Sequence, residues 1–145
     1  MKLTKQDCAL IEIATKVAKD NCDIYADLSM HVGCAVRAKS GKVYVGINLK
    51  TSHSVCAEQV AIGQAYACGE RELDTIVAVK MNKDGGTRVV SPCGLCRYIF
   101  DKFGISLNVI VEDVASGKIL KVPAAKLLPY PYKRERKLNT NRSDL

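Results

Sequence analysis

A continuous apolar run near the middle of the chain is the feature that most constrains its fold. Residues 76–79 are all apolar, and Asp74 and Lys80 bound the segment. A strand with one solvated face alternates apolar and polar residues, whereas this run does not alternate. We therefore predict a central strand that is buried on both faces, in a sheet that is covered by helices.

Periodicity and turn residues predict the other elements. Helices are expected over residues 4–22, 55–67, 94–103 and 123–128, and strands over residues 31–38, 42–48, 74–80, 106–111 and 118–122. Thr4 and Asp7 read as a variant of the capping box, and the turn at residues 40–41 makes the first two strands a hairpin. Strands and helices alternate between residues 42 and 111, which predicts right-handed crossovers and parallel neighbouring strands. The expected fold class is α/β, with a mixed five-stranded sheet flanked by helices.

Length and charge predict one domain with a basic tail. The chain has 145 residues, enough to form one hydrophobic core without the support of disulfides. We expect a single domain over residues 1–132 and a basic C-terminal tail over residues 133–145, where much of the formal charge of +7 is concentrated. The tail carries no aromatic stacking pattern, so nucleic acid is not an expected partner.

Hydropathy argues against a membrane or secreted protein. The longest apolar run falls short of the roughly 20 residues that a membrane span needs. Charged residues appear at positions 2, 5 and 7, too early for a signal peptide. We therefore expect a cytoplasmic protein without a membrane partner. The seven cysteines are an odd number in a compartment that keeps thiols reduced, which favours metal ligation over a disulfide framework.

Three of the cysteines lie in two short segments that each begin a predicted helix. Cys56 is followed by Glu58, and Cys93 and Cys96 form a Pro-Cys-x-x-Cys run. Three thiolates can hold a zinc ion with its fourth position open for water, whose pKa then falls towards about 7. Each helix N-terminus adds about half a positive charge, which offsets the excess negative charge of such a site. Arg97 is a candidate for further compensation.

Two other kinds of site, a redox pair and a structural zinc site, also use cysteines at such spacings. A lone Cys-x-x-Cys can be a redox pair, but a redox site does not require the segment at Cys56 and Glu58. His53 and Cys56, facing Cys93 and Cys96, also have the spacing of a structural zinc site with four protein ligands. The other cysteines are interpreted as small buried apolar residues; these are Cys8, Cys22, Cys34 and Cys68.

A carboxylate beside a water-carrying zinc ion can act as a proton carrier. Glu58, two residues after Cys56, can take a proton from the water and pass it to a ring nitrogen and a departing amine. The three ligands, the glutamate that does not bind zinc and the Pro-Cys-x-x-Cys run match the signature of zinc deaminases.

These motifs resemble the cytidine deaminase family, in the class with three cysteine ligands that includes blasticidin S deaminases. The resemblance extends from His31 to Pro129. It implies a three-layer fold, one zinc ion per chain, a homotetramer and hydrolytic release of ammonia from the 4-amino group of a free cytosine nucleoside or analogue. It also implies that Ala57 contacts the substrate and that Tyr130 or Tyr132 closes a neighbouring pocket.

The chain departs from the family pattern where the sugar is bound. Family members that act on nucleosides have Asn-x-Glu after the second strand, and here Asn48 is followed by Lys50. An ammonium cannot accept a hydrogen bond from a sugar hydroxyl. Met30 replaces an aromatic residue near the base, and Gln59 replaces an arginine. These differences suit a substrate with a carboxylate or an altered sugar, such as blasticidin S, whose sugar is carboxylated, or another cytosine derivative. A further alternative is a deaminase that edits or binds nucleic acid through the tail.

Overall fold

The computed structural model describes residues 1–22, 30–102 and 106–132. In chain order the elements are α1 (Lys5–Asn21), β1 (Val32–Ala38), β2 (Val43–Ile47), α2 (Ala57–Ala67), β3 (Leu73–Met81), β4 (Thr87–Val90), α3 (Gly94–Lys102), β5 (Asn108–Asp113), β6 (Lys118–Pro123) and a 3-10 helix (Ala124–Leu127). The predicted end of the third helix at residues 103–104 and the basic tail lie outside the described residues. No described helix is both long and apolar enough to cross a membrane.

The strands form one mixed sheet, which confirms the predicted α/β class. Its order is β2-β1-β3-β5-β6, and β4 pairs with the C-terminal half of β3, beyond the residues of β3 that pair with β5. Over the described residues the sheet has six strands instead of the expected five. The extra strand, β4, has four residues, and such a short segment carries little periodic signal.

Parallel pairing occurs at one of the two predicted crossovers. β3 and β5, joined through α3, are parallel neighbours. β2 and β3, joined through α2, are not neighbours because β1 pairs antiparallel with both of them. The hairpin therefore inserts its first strand between the two strands that the crossover connects.

The central strand is buried on both faces, as predicted. Ile76 belongs to the core between the sheet and the helices α2 and α3. Val77 and Val79 belong to a second core, which contains Leu10 and Ala14 of α1. The sheet thus separates α1 from the two helices that begin with the cysteine segments.

Helix α1 is anchored by a buried carboxylate. The capping box is present: the Asp7 side chain accepts from the Thr4 backbone, and the Thr4 hydroxyl accepts from the Asp7 amide. Asp7 is fully buried and also accepts hydrogen bonds from Lys121 at 3.0 Å and from Arg37 at 3.1 Å. Burial raises the Asp7 pKa, but these hydrogen bonds lower it more, to about 2. The carboxylate is therefore ionised at neutral pH and joins α1 to β1 and β6.

Two glycines set how closely the helices approach the sheet. A Cβ atom at Gly33 would lie 2.5 Å from the Ala18 nitrogen of α1. At Gly46 it would lie 2.4 Å from the Ala57 oxygen and 2.5 Å from the Ala61 nitrogen. Both contacts are with backbone, which cannot rotate away. Gly46 therefore holds the first turn of α2 directly against β2.

We predict that Gly46→Ala destabilises the protein by about 2 kcal/mol or more, because the new methyl group overpacks a rigid backbone contact. Gly63→Ala is the matched control within α2, since a Cβ there meets nothing within 4 Å and alanine favours a helix by about 0.5–1 kcal/mol. Chemical denaturation measures both free energies of unfolding. Equal stability of the two variants would contradict the close contact at Gly46.

Candidate metal centre and active site

The structure brings the three predicted metal-ligating cysteines together. Cys56 is the N-cap of α2, Cys93 directly precedes α3, and Cys96 lies in the first turn of α3. Their sulfur atoms all lie within 4.8 Å of one another, and the Sγ atoms of Cys56 and Cys93 are 3.5 Å apart. Tetrahedral zinc with Zn–S bonds of about 2.3 Å needs sulfur separations of about 3.8 Å. The donor set therefore fits a zinc ion.

Each sulfur is held at a helix N-terminus, as the sequence predicted. The Cys56 side chain makes no capping hydrogen bond, so its sulfur is not engaged by the helix that it begins. Burial raises the Cys93 pKa, but hydrogen bonds from the Cys96 amide, from the neighbouring thiols and from the Leu95 amide lower it overall. Thus the start of α3 stabilises a negative charge on Cys93.

Burial makes the other two thiols resist ionisation. Burial and the adjacent Cys93 raise the Cys56 pKa to about 11. Burial, together with the charges of Glu58 and the other two thiols, raises the Cys96 pKa still further. A bound cation would have to displace these protons, so metal binding at these cysteines would depend on pH.

Glu58 lies beside the thiols in the first turn of α2. It is 6% exposed, and burial raises its pKa, although its own backbone amide and the Cys96 thiol partly offset this effect by hydrogen bonding. A carboxyl group with a raised pKa exchanges protons more readily near neutral pH than an ordinary glutamate does. The geometry is thus compatible with the proton-carrying role predicted from the sequence.

His53 does not join the thiol cluster. Among the described residues, the group of side chains that could share a metal ion contains the three cysteines and not His53. His53 lies exposed in the loop at residues 50–54, where its Nδ1 is 3.3 Å from the Ser52 hydroxyl. A structural zinc site with His53 as a ligand is therefore not supported.

The predicted substrate residues occupy different surroundings. The Asn48 side-chain oxygen accepts from the amides of His31 at 2.9 Å and Val32 at 2.8 Å, so it fixes the start of β1. Leu49 and Val55 pair across the base of the loop that contains Lys50. Because the pairing is antiparallel, Asn48 lies opposite Cys56, and the exposed Lys50 lies opposite Ser54 on the loop side of the pair.

The remaining predicted contacts vary in exposure. Ala57 is buried and Met30 is half-buried. Tyr130 is fully exposed and has a φ of 54°, and Tyr132 is 73% exposed. Within one protomer, therefore, neither tyrosine is covered.

Two residues make contacts that the sequence did not reveal. Gln59 Nε2 lies 4.0 Å from the Cys96 sulfur. In the sequence, only its spacing of three residues from Cys56, which puts both on one helix face, indicated that it lies near the thiols. Arg97 donates to the carbonyls of Pro92 and Leu127, although the sequence had suggested a charge-compensating role.

Of the cysteines interpreted as buried, Cys34 is buried, but Cys8 and Cys68 are exposed.

Comparison with known proteins identifies the family. The model of the cytidine and deoxycytidylate deaminase zinc-binding region matches residues 4–112, which include all three thiols and Glu58. The chain belongs to this family. It is a zinc-binding hydrolytic deaminase, as the sequence motifs predicted.

Individual relatives agree with this assignment. A blasticidin-S deaminase from Bacillus cereus is 35% identical over 139 residues, covering 91% of this chain and 96% of the relative. A cytidine deaminase from Shewanella pealeana is 30% identical over 91% of this chain, but the match spans only 40% of that protein. The crystal structure of cytidine deaminase from Burkholderia pseudomallei has a TM-score of 0.68 and 29% identity, covering 90% of this deaminase and 100% of that chain.

We predict that His53→Ala retains the zinc content of the unaltered deaminase, because His53 lies outside the thiol cluster. Cys93→Ser should lose most of the bound zinc, since a serine hydroxyl is a far poorer zinc ligand than a thiolate. Metal analysis after gel filtration measures both. Loss of zinc from His53→Ala would revive the structural site with four protein ligands.

Proposed function

We propose that this deaminase acts on a free cytosine-bearing compound, replacing the 4-amino group with a carbonyl oxygen and releasing ammonia. The observation that carries the proposal is the cluster of three thiols with the buried carboxylate of Glu58 beside it. The named relatives include cytidine deaminases and a blasticidin-S deaminase, and cytosine is the part that their substrates share.

Cys56, Cys93 and Cys96 would hold one zinc ion per chain. When bound, the ion supplies the Lewis acidity that activates a water molecule near neutral pH. The two helix N-termini keep the sulfur atoms together and offset their negative charge. The cysteines would therefore set where the ion lies relative to Glu58.

Glu58 would carry the protons of the reaction. Its carboxylate accepts a proton from the attacking water and delivers it to the pyrimidine ring nitrogen. The second proton, from the hydroxyl that has added to the ring carbon, would pass through the same group to the amine, so that the C–N bond breaks, ammonia leaves and the hydroxyl oxygen becomes the carbonyl oxygen. Burial of Glu58 supports this role, because the raised pKa lets the group alternate between its two protonation states.

The sugar side of the substrate would meet Asn48 and Lys50, and the base would lie near Met30 and Ala57. The Asn48 carbonyl is committed to the β1 backbone, which orients its amide group as a donor. Lys50 adds positive charge on the adjacent loop. The Asn48 amide and the Lys50 ammonium are both hydrogen-bond donors, so they suit a carboxylate, which only accepts, better than a hydroxyl that needs an acceptor.

A blasticidin S-type substrate is therefore the second candidate within this reaction class. The carboxylate on its sugar is complementary to Lys50, and the Bacillus cereus relative with that activity matches over 96% of its own length. Cytidine and deoxycytidine remain the reference substrates for the class. The choice depends on the loop at residues 50–54.

The working form would be a cytoplasmic homotetramer. Tyr130 and Tyr132 are exposed aromatic side chains at the end of the described chain, so each is available to cover the pocket of a neighbouring protomer. A site that depends on three thiols also needs a reducing compartment.

We predict that Glu58→Gln reduces kcat by about 10²-fold to 10⁴-fold while zinc is retained, because the amide keeps the shape of the side chain but cannot carry a proton. Ammonia release and the loss of aminopyrimidine absorbance measure turnover of cytidine, deoxycytidine, cytosine and blasticidin S. If the unaltered enzyme turned over none of these four compounds, the proposed substrate class would be wrong.

We predict that Lys50→Glu lowers kcat/KM for blasticidin S and raises it for cytidine, each by about tenfold, which corresponds to about 1.4 kcal/mol. The physical reason is that the charge reversal repels a carboxylate and provides an acceptor for a hydroxyl. Lys42→Glu is the control, since Lys42 is also exposed but precedes β2. The same change of preference in both variants would show a general charge effect instead.

A further inference from the structure

Arg97 links the cysteine loop to the C-terminal part of the described chain. Its Nε donates to the Pro92 carbonyl at 2.8 Å, and its Nη1 donates to the Leu127 carbonyl at 3.3 Å. Pro92 directly precedes Cys93, and Leu127 ends the 3-10 helix after β6. One half-buried side chain therefore spans two segments that are 35 positions apart in the sequence.

The Pro92 carbonyl needs such a partner. The first hydrogen bond of α3 runs from the Arg97 amide to the Cys93 carbonyl, so the preceding Pro92 carbonyl lies outside the helical hydrogen-bond ladder. Pro92 is buried, and a buried carbonyl without a donor costs free energy. By donating to the Pro92 carbonyl, Arg97 fixes the orientation of the peptide group between Pro92 and Cys93. That peptide group sets the position of the Cys93 α-carbon, from which the thiol side chain extends.

The second hydrogen bond of Arg97, to the Leu127 carbonyl, makes its side chain a rigid link. The Leu127 carbonyl is at the end of a short helix, where carbonyl groups lack intrahelical donors. A guanidinium is a planar fork that can donate in two directions at once, whereas a lysine ammonium is a point charge on a flexible stem. The contacts of Arg97 thus use its shape as well as its charge.

A separate link on the same helix provides a natural comparison. Lys102 Nζ donates to the Tyr132 carbonyl at 2.6 Å and lies 5.2 Å and 5.5 Å from the ring centres of Tyr98 and Tyr132. This link also joins α3 to the C-terminal segment, but it is at the far end of the helix from Cys93. Its loss would loosen the segment without releasing the Pro92 carbonyl.

We propose that Arg97 is a positioning residue of the metal centre: by bridging the carbonyls of Pro92 and Leu127, it holds the Cys93 sulfur in register with those of Cys56 and Cys96. Its role is geometric and does not consist of neutralising the thiolates. The inference rests on the proposed use of these cysteines as zinc ligands. It extends that proposal by assigning the position of one ligand to a contact with the C-terminal segment.

The test compares Arg97→Lys, Arg97→Ala and Lys102→Met with the unaltered protein. Cobalt-loaded samples report the ligand geometry through their visible and near-ultraviolet absorption, and transfer of zinc to a chromogenic chelator reports its release. We expect both Arg97 variants to have altered cobalt spectra and about tenfold faster zinc release, the lower end of the loss seen when groups that orient metal ligands are removed. Lys102→Met should retain the original spectrum and release rate.

Three results would overturn the proposal. Arg97→Lys could behave like the unaltered protein, which would mean that positive charge suffices. Both Arg97 variants could keep the original spectrum and release rate, or Lys102→Met could change them equally, which would implicate the C-terminal segment as a whole. If Arg97→Ala fails to fold, the comparison of Arg97→Lys with Lys102→Met decides. No substrate is present in these measurements, so failure of the deaminase proposal would be recognised separately by the absence of ammonia release.

Discussion

The crowding of three thiols and a carboxylate into one small volume is the constraint on which the rest of the structure depends. The sulfur atoms lie within 4.8 Å of one another and Glu58 is almost completely buried beside them. Such a concentration of ionisable groups is stable only where positive potential is supplied. Two helix N-termini supply part of it here, and the three cysteines are the residues that would hold a zinc ion.

The sheet brings the N-termini of α2 and α3 together through one close packing contact and one strand connection. α2 packs on β2 without an intervening side chain because residue 46 is glycine, and α3 connects two parallel neighbours, β3 and β5. On the opposite face, α1 is held by the ionised carboxylate of Asp7 between Lys121 and Arg37. The buried charge that anchors α1 is thus separated by the sheet from Glu58 and the thiol cluster.

The residues proposed to act in catalysis and those proposed to set specificity differ in how firmly they are held. The thiols and Glu58 belong to helix starts that pack against the core. Lys50 belongs to an exposed loop whose ends are joined by the pair of Leu49 and Val55. This division agrees with the general pattern in which binding residues lie on loops that a rigid scaffold positions. The contacts of Arg97 extend the firmly held part to the C-terminal segment.

The sequence alone determined the local chemistry and most of the elements. The thiols and Glu58 could be predicted because a ligand pattern at helix starts is a local property, and the capping box of α1 and the doubly buried β3 were equally readable. Tertiary structure alone decided that β1 lies between β2 and β3, that β4 joins the sheet and that Arg97 contacts two carbonyls. It also decided that His53 stays outside the cluster. These outcomes depend on pairing and packing between segments far apart in the chain, and residue spacing does not encode which distant backbone groups will need a partner.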